Sequence, residues 1–403
     1  MYNYNFNEII DRTGSNCLKK DKLHERFGRS DIIPMWVADM DFKTPDFILN
    51  AISERCKHAI LGYSFAGDEY YAAITHWLAQ RHHLDVQSAM TGFLPGIVPG
   101  LALSVGCFSK PSDKVIVQPP VYPPFVFVPQ HNNRRLVCNP LMLKNGRFEM
   151  NITQFREFCS DARTTMFLLC NPHNPGGRCW TETELAKIAE ICAENNVMVV
   201  SDEIHSDLVL PGHKHTAFAS VSETARQNSI TLMAPSKTFN IPGLGSSFYF
   251  SHNAELKKRF ASFLKKSELA EGNIFAFVAT QAAFENGEEW RRQLLVYIDA
   301  NIRFVDNYLK QHIPQIKAIV PEASFLIWLD CREMRLSQHD LVSFFINKAR
   351  LALNDGLSFG EGGEGFMRMN VGCSRVILQK ALEQLKEAVH QIQLSQFLST
   401  ESN

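Results

Sequence analysis

TMFLLCNPHNPGGRCWTETELAKIAEICAENNVMVVS (165–201) sets two short apolar runs on either side of one amphipathic segment. The runs 165–170 and 197–201 are continuous rather than alternating, as expected of strands covered on both faces. Between them, Thr181 and Glu184 have the spacing of a capping box. Leu185, Ile188, Ala189 and Cys192 then fall on one stripe, so the segment 181–195 is expected to be a helix. Strand, helix, strand in this order implies parallel strands joined by a right-handed crossover. The pattern extends outward to KVIVQ (114–118) and ITLMA (230–234), which read as further strands. The fold class is therefore α/β, built on a mainly parallel sheet.

Further out, Thr44-Pro45-Asp46 is expected to open a helix, with Thr44 as the cap and Pro45 in the first turn. Asp46 would then lie near the positive end of the helix dipole. After about residue 290 the pattern changes. Amphipathic helices at 288–311, 337–349 and 376–392 flank short strands at 324–329 and 366–371. They imply a second, smaller α+β domain, which also takes in the first 45 residues because these do not fit the parallel pattern. The expected division is 46–288 for the large domain, and 1–45 with 289–403 for the small one.

The 403 residues are 45% hydrophobic and 21% charged, with a formal net charge of −1. Those proportions suit a globular chain with a sizeable core. They offer no charge field for nucleic acid or for an anionic membrane surface. The start, MYNYNFNEIIDRTGSN, lacks the cationic and apolar stretches of a signal peptide. The uncharged stretch between Asp85 and Lys110 is long enough to span a bilayer, but Gly92, Pro95, Gly96, Pro99, Gly100 and Gly106 interrupt it. The ten cysteines include no CxxC pair, so they read as reduced thiols in a cytoplasmic protein.

Ligands of parallel α/β sheets bind at the carboxyl ends of the strands. Four such ends carry polar groups: PPVYPPF (119–125), NPHNPGG (171–177), DEIH (202–205) and PSKT (235–238). Each has a plainer reading alone. Asn-Pro and Pro-Gly-Gly form turns, an aspartate after a strand caps a helix, a loop lysine is solvated, and Tyr122 could be core. Their convergence on one sheet edge favours a site.

NPHNPGG, SDEIH (201–205) and APSKTFNIPGL (234–244) resemble the pyridoxal-5′-phosphate (PLP) dependent aminotransferases of classes I and II, fold type I. MWVADMDFKTP (35–45), GYS (62–64), LPGIVPGL (94–101), PPVYPPF and FGEGGEGFMRMNVGCSR (359–375) narrow the resemblance. They are similar to the C–S β-lyase branch, the cystathionine β-lyases of the kind that also modulate maltose regulation. The match runs over nearly the whole chain. It implies a large domain with a seven-stranded, mainly parallel sheet between helices, plus the smaller α+β domain.

The resemblance also implies roles. Lys237 would hold the cofactor as a Schiff base and move the substrate Cα proton, which suits an amine whose pKa is lowered in a desolvated site. Asp202 would pair with the pyridine nitrogen, Asn174 with the phenolate oxygen, and Tyr122 would stack on the ring. Gly96, Ile97 and Val98, at the start of an expected helix running to Phe108, would offer amides to the phosphate, with Ser236 adding a hydroxyl. Tyr63 would reach the phosphate from a second copy, giving a homodimer with a shared active site. Arg368 would grip the substrate α-carboxylate, and Asn370, two residues on, would face the same side of its strand. Trp36, Val37 and Ala38 would lie near the substrate.

Three departures stand out. His205 replaces a tyrosine common among the wider aminotransferases, and it matches the lyase branch. Ala234 replaces a frequent serine. GLGSS (243–247) lacks a frequent phosphate-binding arginine. His82-His83 and His213-x-His215 read as surface or core residues, and no metal motif is present. The expected activity is αβ-elimination from L-cystathionine, related L-cysteine S-conjugates or cysteine, giving pyruvate, ammonia and a thiol. The alternatives are an aminotransferase and a PLP-binding regulator of a transcription factor.

Overall fold

The structure, a computed structural model, describes residues 4–401, with side chains through 392. Its largest sheet has seven strands: β1 (Thr91–Leu94), β2 (Lys114–Val117), β3 (Arg135–Cys138), β4 (Thr164–Cys170), β5 (Met198–Asp202), β6 (Ser229–Met233) and β7 (Ser247–Phe250). Their order across the sheet is β1-β7-β6-β5-β4-β2-β3. From β6 to β3 every pair is parallel, and β7 runs antiparallel to both neighbours.

The apolar runs bury both faces of this sheet. On β4, Met166 and Leu168 join one core cluster with Val200 of β5 and Leu232 of β6. Phe167 and Leu169 point the other way and join Val199 together with Leu185 and Ile188 of the helix Glu182–Glu194. That helix begins as its sequence requires. The Thr181 hydroxyl accepts from the Glu184 amide at 3.2 Å, and the Glu184 carboxylate accepts from the Thr181 amide at 2.8 Å.

The helix at Asp46–Lys57 is present, but its cap is not Thr44. Pro45 occupies the cap position, and no side chain bonds the first turn. The Thr44 hydroxyl instead donates to the Asn240 carbonyl at 3.3 Å. The cause is Asn240, whose side-chain amide also binds the Met40 and Phe42 carbonyls and so draws the incoming chain sideways.

A second sheet has four strands: β8 (Lys317–Ile319), β9 (Leu326–Asp330), β10 (Asn354–Asp355) and β11 (Phe366–Asn370). They are antiparallel throughout, in the order β8-β9-β11-β10. The strand expected from 324 starts at Leu326, because Ser324 takes φ +80° and its amide turns aside to the Leu208 carbonyl. Helices Glu288–His312, Gln338–Asn347 and Arg375–Glu401 belong to this half of the chain. Ile33–Pro34 adds a short parallel pairing with Leu351–Ala352. The turn after β4 meets this half at Gly177. Its φ is +64°, and a Cβ there would lie 2.2 Å from the Pro321 Cβ, so only glycine fits.

Candidate active site

The strand ends converge because register aligns them. Cys170 pairs with Asp202, and Asp202 with Leu232, two residues before Ala234. At this edge opens a pocket of about 210 Å³. Ala38, Tyr122, Asn174, Asp202, His205 and Lys237 line it, as do Gly96, Ile97, Val98 and Ser236.

Lys237 follows β6 on the loop 234–238. Its Nζ donates to the Ala38 carbonyl at 2.6 Å. Burial lowers its pKa to about 8, helped by the charge on Arg368 and opposed by Asp39 and Asp202. At pH 7.5 about a quarter of such amines are neutral, against about one in a thousand at the usual value. The neutral amine is the nucleophile, so attack on an aldehyde should quicken as pH rises and level off above about 8. Borohydride trapping of PLP on the apoprotein across pH 6–10 measures this. A rate still climbing tenfold per unit at pH 9.5 would refute it.

Asp202 is buried at the end of β5, where its Oδ1 accepts the Ile204 amide at 3.0 Å. Among the described residues no side chain pairs with it. Burial, with Glu203 adjacent, pushes its pKa up to about 7, so ionising it fully requires a cation beside it. Burial also pushes the His205 pKa down to about 3, leaving a neutral ring whose Nδ1 has no partner. The Tyr122 amide donates to the Asn174 carbonyl at 3.0 Å, which ties two of the strand-end loops together. The helix Ile97–Phe108 starts at the pocket with Gly96 as its cap residue. Its first-turn amides have no partner within the helix.

Arg368 stands on β11 and is buried. Among the described residues it bonds neutral oxygens only: Asn174 Oδ1 at 3.0 Å, the Trp36 carbonyl at 3.1 Å and Asn354 Oδ1 at 2.7 Å. Its Nε has no partner, and burial lowers its pKa to about 10. A buried guanidinium without a carboxylate is costly, and an anionic ligand is what relieves it.

Arg368 itself stands behind Asn174 rather than in the pocket lining, and of the remaining sequence candidates only Ala38 lines the pocket. Asn370 spends its amide on the Val37 and Asp39 carbonyls, each at 2.6 Å, and pins the segment 36–42. Trp36 packs its ring with Leu23, Ile32 and Ala352, so only its carbonyl turns to Arg368. Val37 offers its carbonyl to Asn370, and Ala38 alone of the three lines the pocket. Tyr63 is 108% exposed and touches none of this.

Sequence reasoning passed over Asn354, Asn240 and the Cys170 thiol, which lines the pocket and accepts the Asn174 amide at 3.3 Å. No motif marks Asn354. Asn240 lies inside APSKTFNIPGL, but its partners are about two hundred residues away. His82 and His215 are inside, on Asp207 and Glu203 at 2.9 and 2.8 Å.

Residues 30–385 match the family model "Aminotransferase class I and II". The chain belongs to this family. Within it, the chain is 42% identical to cystathionine beta-lyase PatB of Bacillus subtilis (strain 168), over 96% of this chain and all of that protein. Two solved structures share the fold closely. Cystalysin from Treponema denticola, which contains a pyridoxal 5′-phosphate cofactor, superposes with a TM-score of 0.94 at 32% identity, covering 97% of this chain and 100% of the other. The PLP-bound C-S lyase from Staphylococcus hominis gives 0.90 at 35% identity, over 96% and 98%. The seven-stranded sheet is therefore the fold type I sheet of these PLP enzymes.

Proposed function

We propose that this class I and II aminotransferase family member is a PLP-dependent carbon–sulfur β-lyase. It releases pyruvate, ammonia and a thiol from L-cystathionine, a related L-cysteine S-conjugate or cysteine. The observation that carries the reading is a pocket lysine with a lowered pKa and, bonded to the pocket residue Asn174, an arginine that lacks a carboxylate. The relatives named above point to the same activity.

The residues fit the cofactor. Lys237 would bond its aldehyde carbon, and Asp202 would meet the ring nitrogen, whose positive charge supplies the counterion that a buried carboxylate lacks. Asn174 would face the phenolate oxygen and Tyr122 the ring. The amides at Gly96, Ile97 and Val98 and the Ser236 hydroxyl would hold the phosphate. When bound, PLP supplies the electron sink that makes the substrate Cα–H acidic.

The chain's own groups do the rest. Arg368 holds the substrate carboxylate through its planar fork, and Asn174 braces that fork. The Trp36 carbonyl and Asn354 Oδ1 both accept from the Arg368 Nη2. Neutral Lys237 takes the Cα proton, and its ammonium form rests on the Ala38 carbonyl. The same ammonium can then protonate the departing sulfur. Incubation with L-cystathionine tests the proposal: catalytic pyruvate and free thiol are expected. Stoichiometric amination of the cofactor without pyruvate would mark an aminotransferase instead.

The working unit in this reading is a homodimer in a reducing cytoplasm. All ten cysteines are free, and among the described residues no helix is long and apolar enough to cross a membrane. Ile60, Leu61, Tyr63 and Phe65 form an exposed apolar run, which suits burial against a second copy and delivery of Tyr63 to its phosphate. Light scattering of the active enzyme should give the mass of two chains. A single-chain mass with full activity would overturn the shared site.

A further inference from the structure

The segment 36–42 touches both halves of the site. Toward the pocket lysine, the Ala38 carbonyl accepts from Lys237 Nζ at 2.6 Å. The Met40 amide donates to Asn240 Oδ1, three residues beyond that lysine, at 2.9 Å. Toward Arg368, the Trp36 carbonyl accepts from its guanidinium at 3.1 Å, and the Asp41 amide donates to the Gly372 carbonyl at 2.8 Å. All four contacts use backbone groups of the segment. The carboxylates of Asp39 and Asp41 go elsewhere, to the N-terminal residues.

Arg12 reaches both. Its Nη2 donates to Asp39 Oδ2 at 2.6 Å, and its Nη1 donates to Asp39 Oδ1 at 3.2 Å and Asp41 Oδ1 at 2.9 Å. Lys19 Nζ donates to Asp41 Oδ2 at 2.8 Å and lies 3.7 Å from Asp39 Oδ1. Two cations face two carboxylates, so the cluster is neutral as a whole. The two cations do different work. Lys19 is 2% exposed and bonds chiefly to Asp41. Asp39 takes both Arg12 nitrogens in a forked pairing, which fixes the direction of the carboxylate as well as offsetting its charge. The Arg12 side chain keeps 28% exposure, so it can be replaced without opening the core.

Asp39 matters to the chemistry through its charge. Among the described residues no hydrogen bond joins it to Lys237. Its charge, with that of Asp202, favours the ammonium form of that lysine, while burial and Arg368 disfavour it. The other titratable groups lining the pocket are uncharged. Burial keeps the Tyr122 hydroxyl and the Cys170 thiol protonated, and the His205 ring neutral. The charge state of Lys237 is thus set among three charged neighbours, and Arg12 answers one of them directly.

We propose that Arg12 is a positioning residue for the reaction: it holds Asp39, and with it the segment 36–42, against Lys237, and it offsets the Asp39 charge so that the amine stays available in its neutral form. This rests on Lys237 being the cofactor lysine.

Borohydride trapping of PLP on the apoprotein across pH 6–10, at low ionic strength, tests it. Arg12→Gln leaves Asp39 uncompensated beside the lysine. The plateau should then move up by about 0.5–1 pH unit, which slows trapping at pH 7.5 by about threefold to eightfold. Asp39→Asn removes the charge and keeps the shape, so the plateau should move down by a similar amount. Arg12→Lys should stay near native, and the double variant Arg12→Gln/Asp39→Asn should fall between the two single ones. The opposite signs are the signature, because a merely loosened segment would move both single variants the same way. Shifts of one sign in both, or an Arg12→Gln plateau within about 0.2 unit of native, would overturn the proposal. If Arg12→Gln does not fold, Asp39→Asn decides, and a plateau that stays or rises overturns it. A native label on another lysine would overturn the cofactor assignment and this proposal together, whereas a native label on Lys237 with an unmoved Arg12→Gln profile overturns this proposal alone.

Discussion

Lys237→Ala is expected to lower kcat/KM for pyruvate release from L-cystathionine by about 10⁴-fold or more, because one amine serves as both the cofactor's anchor and the proton carrier. The fold should survive. The side chain makes one hydrogen bond, to the Ala38 carbonyl, and its partly desolvated amine is already held toward the neutral form. The loop that carries it is fixed by its backbone instead: the Phe239 amide bonds the Pro235 carbonyl at 2.9 Å, and the Ile241 amide bonds the Ser236 carbonyl at 3.0 Å. Steady-state assay gives the rate. Borohydride reduction followed by digestion gives the attachment, which should place the native label on Lys237 and leave the variant unlabelled. A variant within tenfold of native activity, or a native label on another lysine, would end the assignment.

The strands and the crossover helix were legible because each obeys a local rule. Runs such as VMVVS (197–201) suit only a doubly covered strand, and Thr181 with Glu184 states where the helix begins. The four polar strand ends were legible for the same reason, since a parallel sheet gathers the loops beyond its strands along one edge. The hidden part is set by contacts distant in sequence. Nothing near Asn354 announces that it will hold Arg368, and nothing near Asn370 says its amide will serve two carbonyls from 37–39. Thr44 misled because it satisfies the local rule for a cap while a residue almost two hundred positions away claims its hydroxyl. Trp36 was placed near the substrate by its motif, and in the structure only its backbone carbonyl meets Arg368. The ring was free to pack elsewhere because Arg368 needs only the carbonyl. Tyr63 marks a different boundary: its proposed role belongs to a surface that a single chain leaves open.

Arg368→Gln is expected to lower kcat/KM by about 10²–10⁴-fold, the worth of two charged hydrogen bonds at roughly 1.5–3 kcal/mol each. Arg368→Lys should fall between, since an ammonium restores charge without the fork. Loss of substrate binding raises KM, and loss of orientation lowers kcat, so both should move. A second effect separates a charge role from mere disruption. The Arg368 charge helps burial to hold the Lys237 pKa near 8, so removing it should shift the plateau of PLP trapping to higher pH. Lysine at 368 should keep that plateau close to native while still weakening the substrate. Stability should change little in the apoprotein. The lost bonds go to neutral oxygens, and an uncompensated buried charge disappears with them. The guanidinium also lies 4.9 Å over the Phe359 ring, next to the Gly-rich stretch, so some loosening there is expected in both variants. A glutamine variant with kcat/KM within tenfold of native and an unmoved trapping profile would show that this arginine neither holds the substrate nor tunes the lysine.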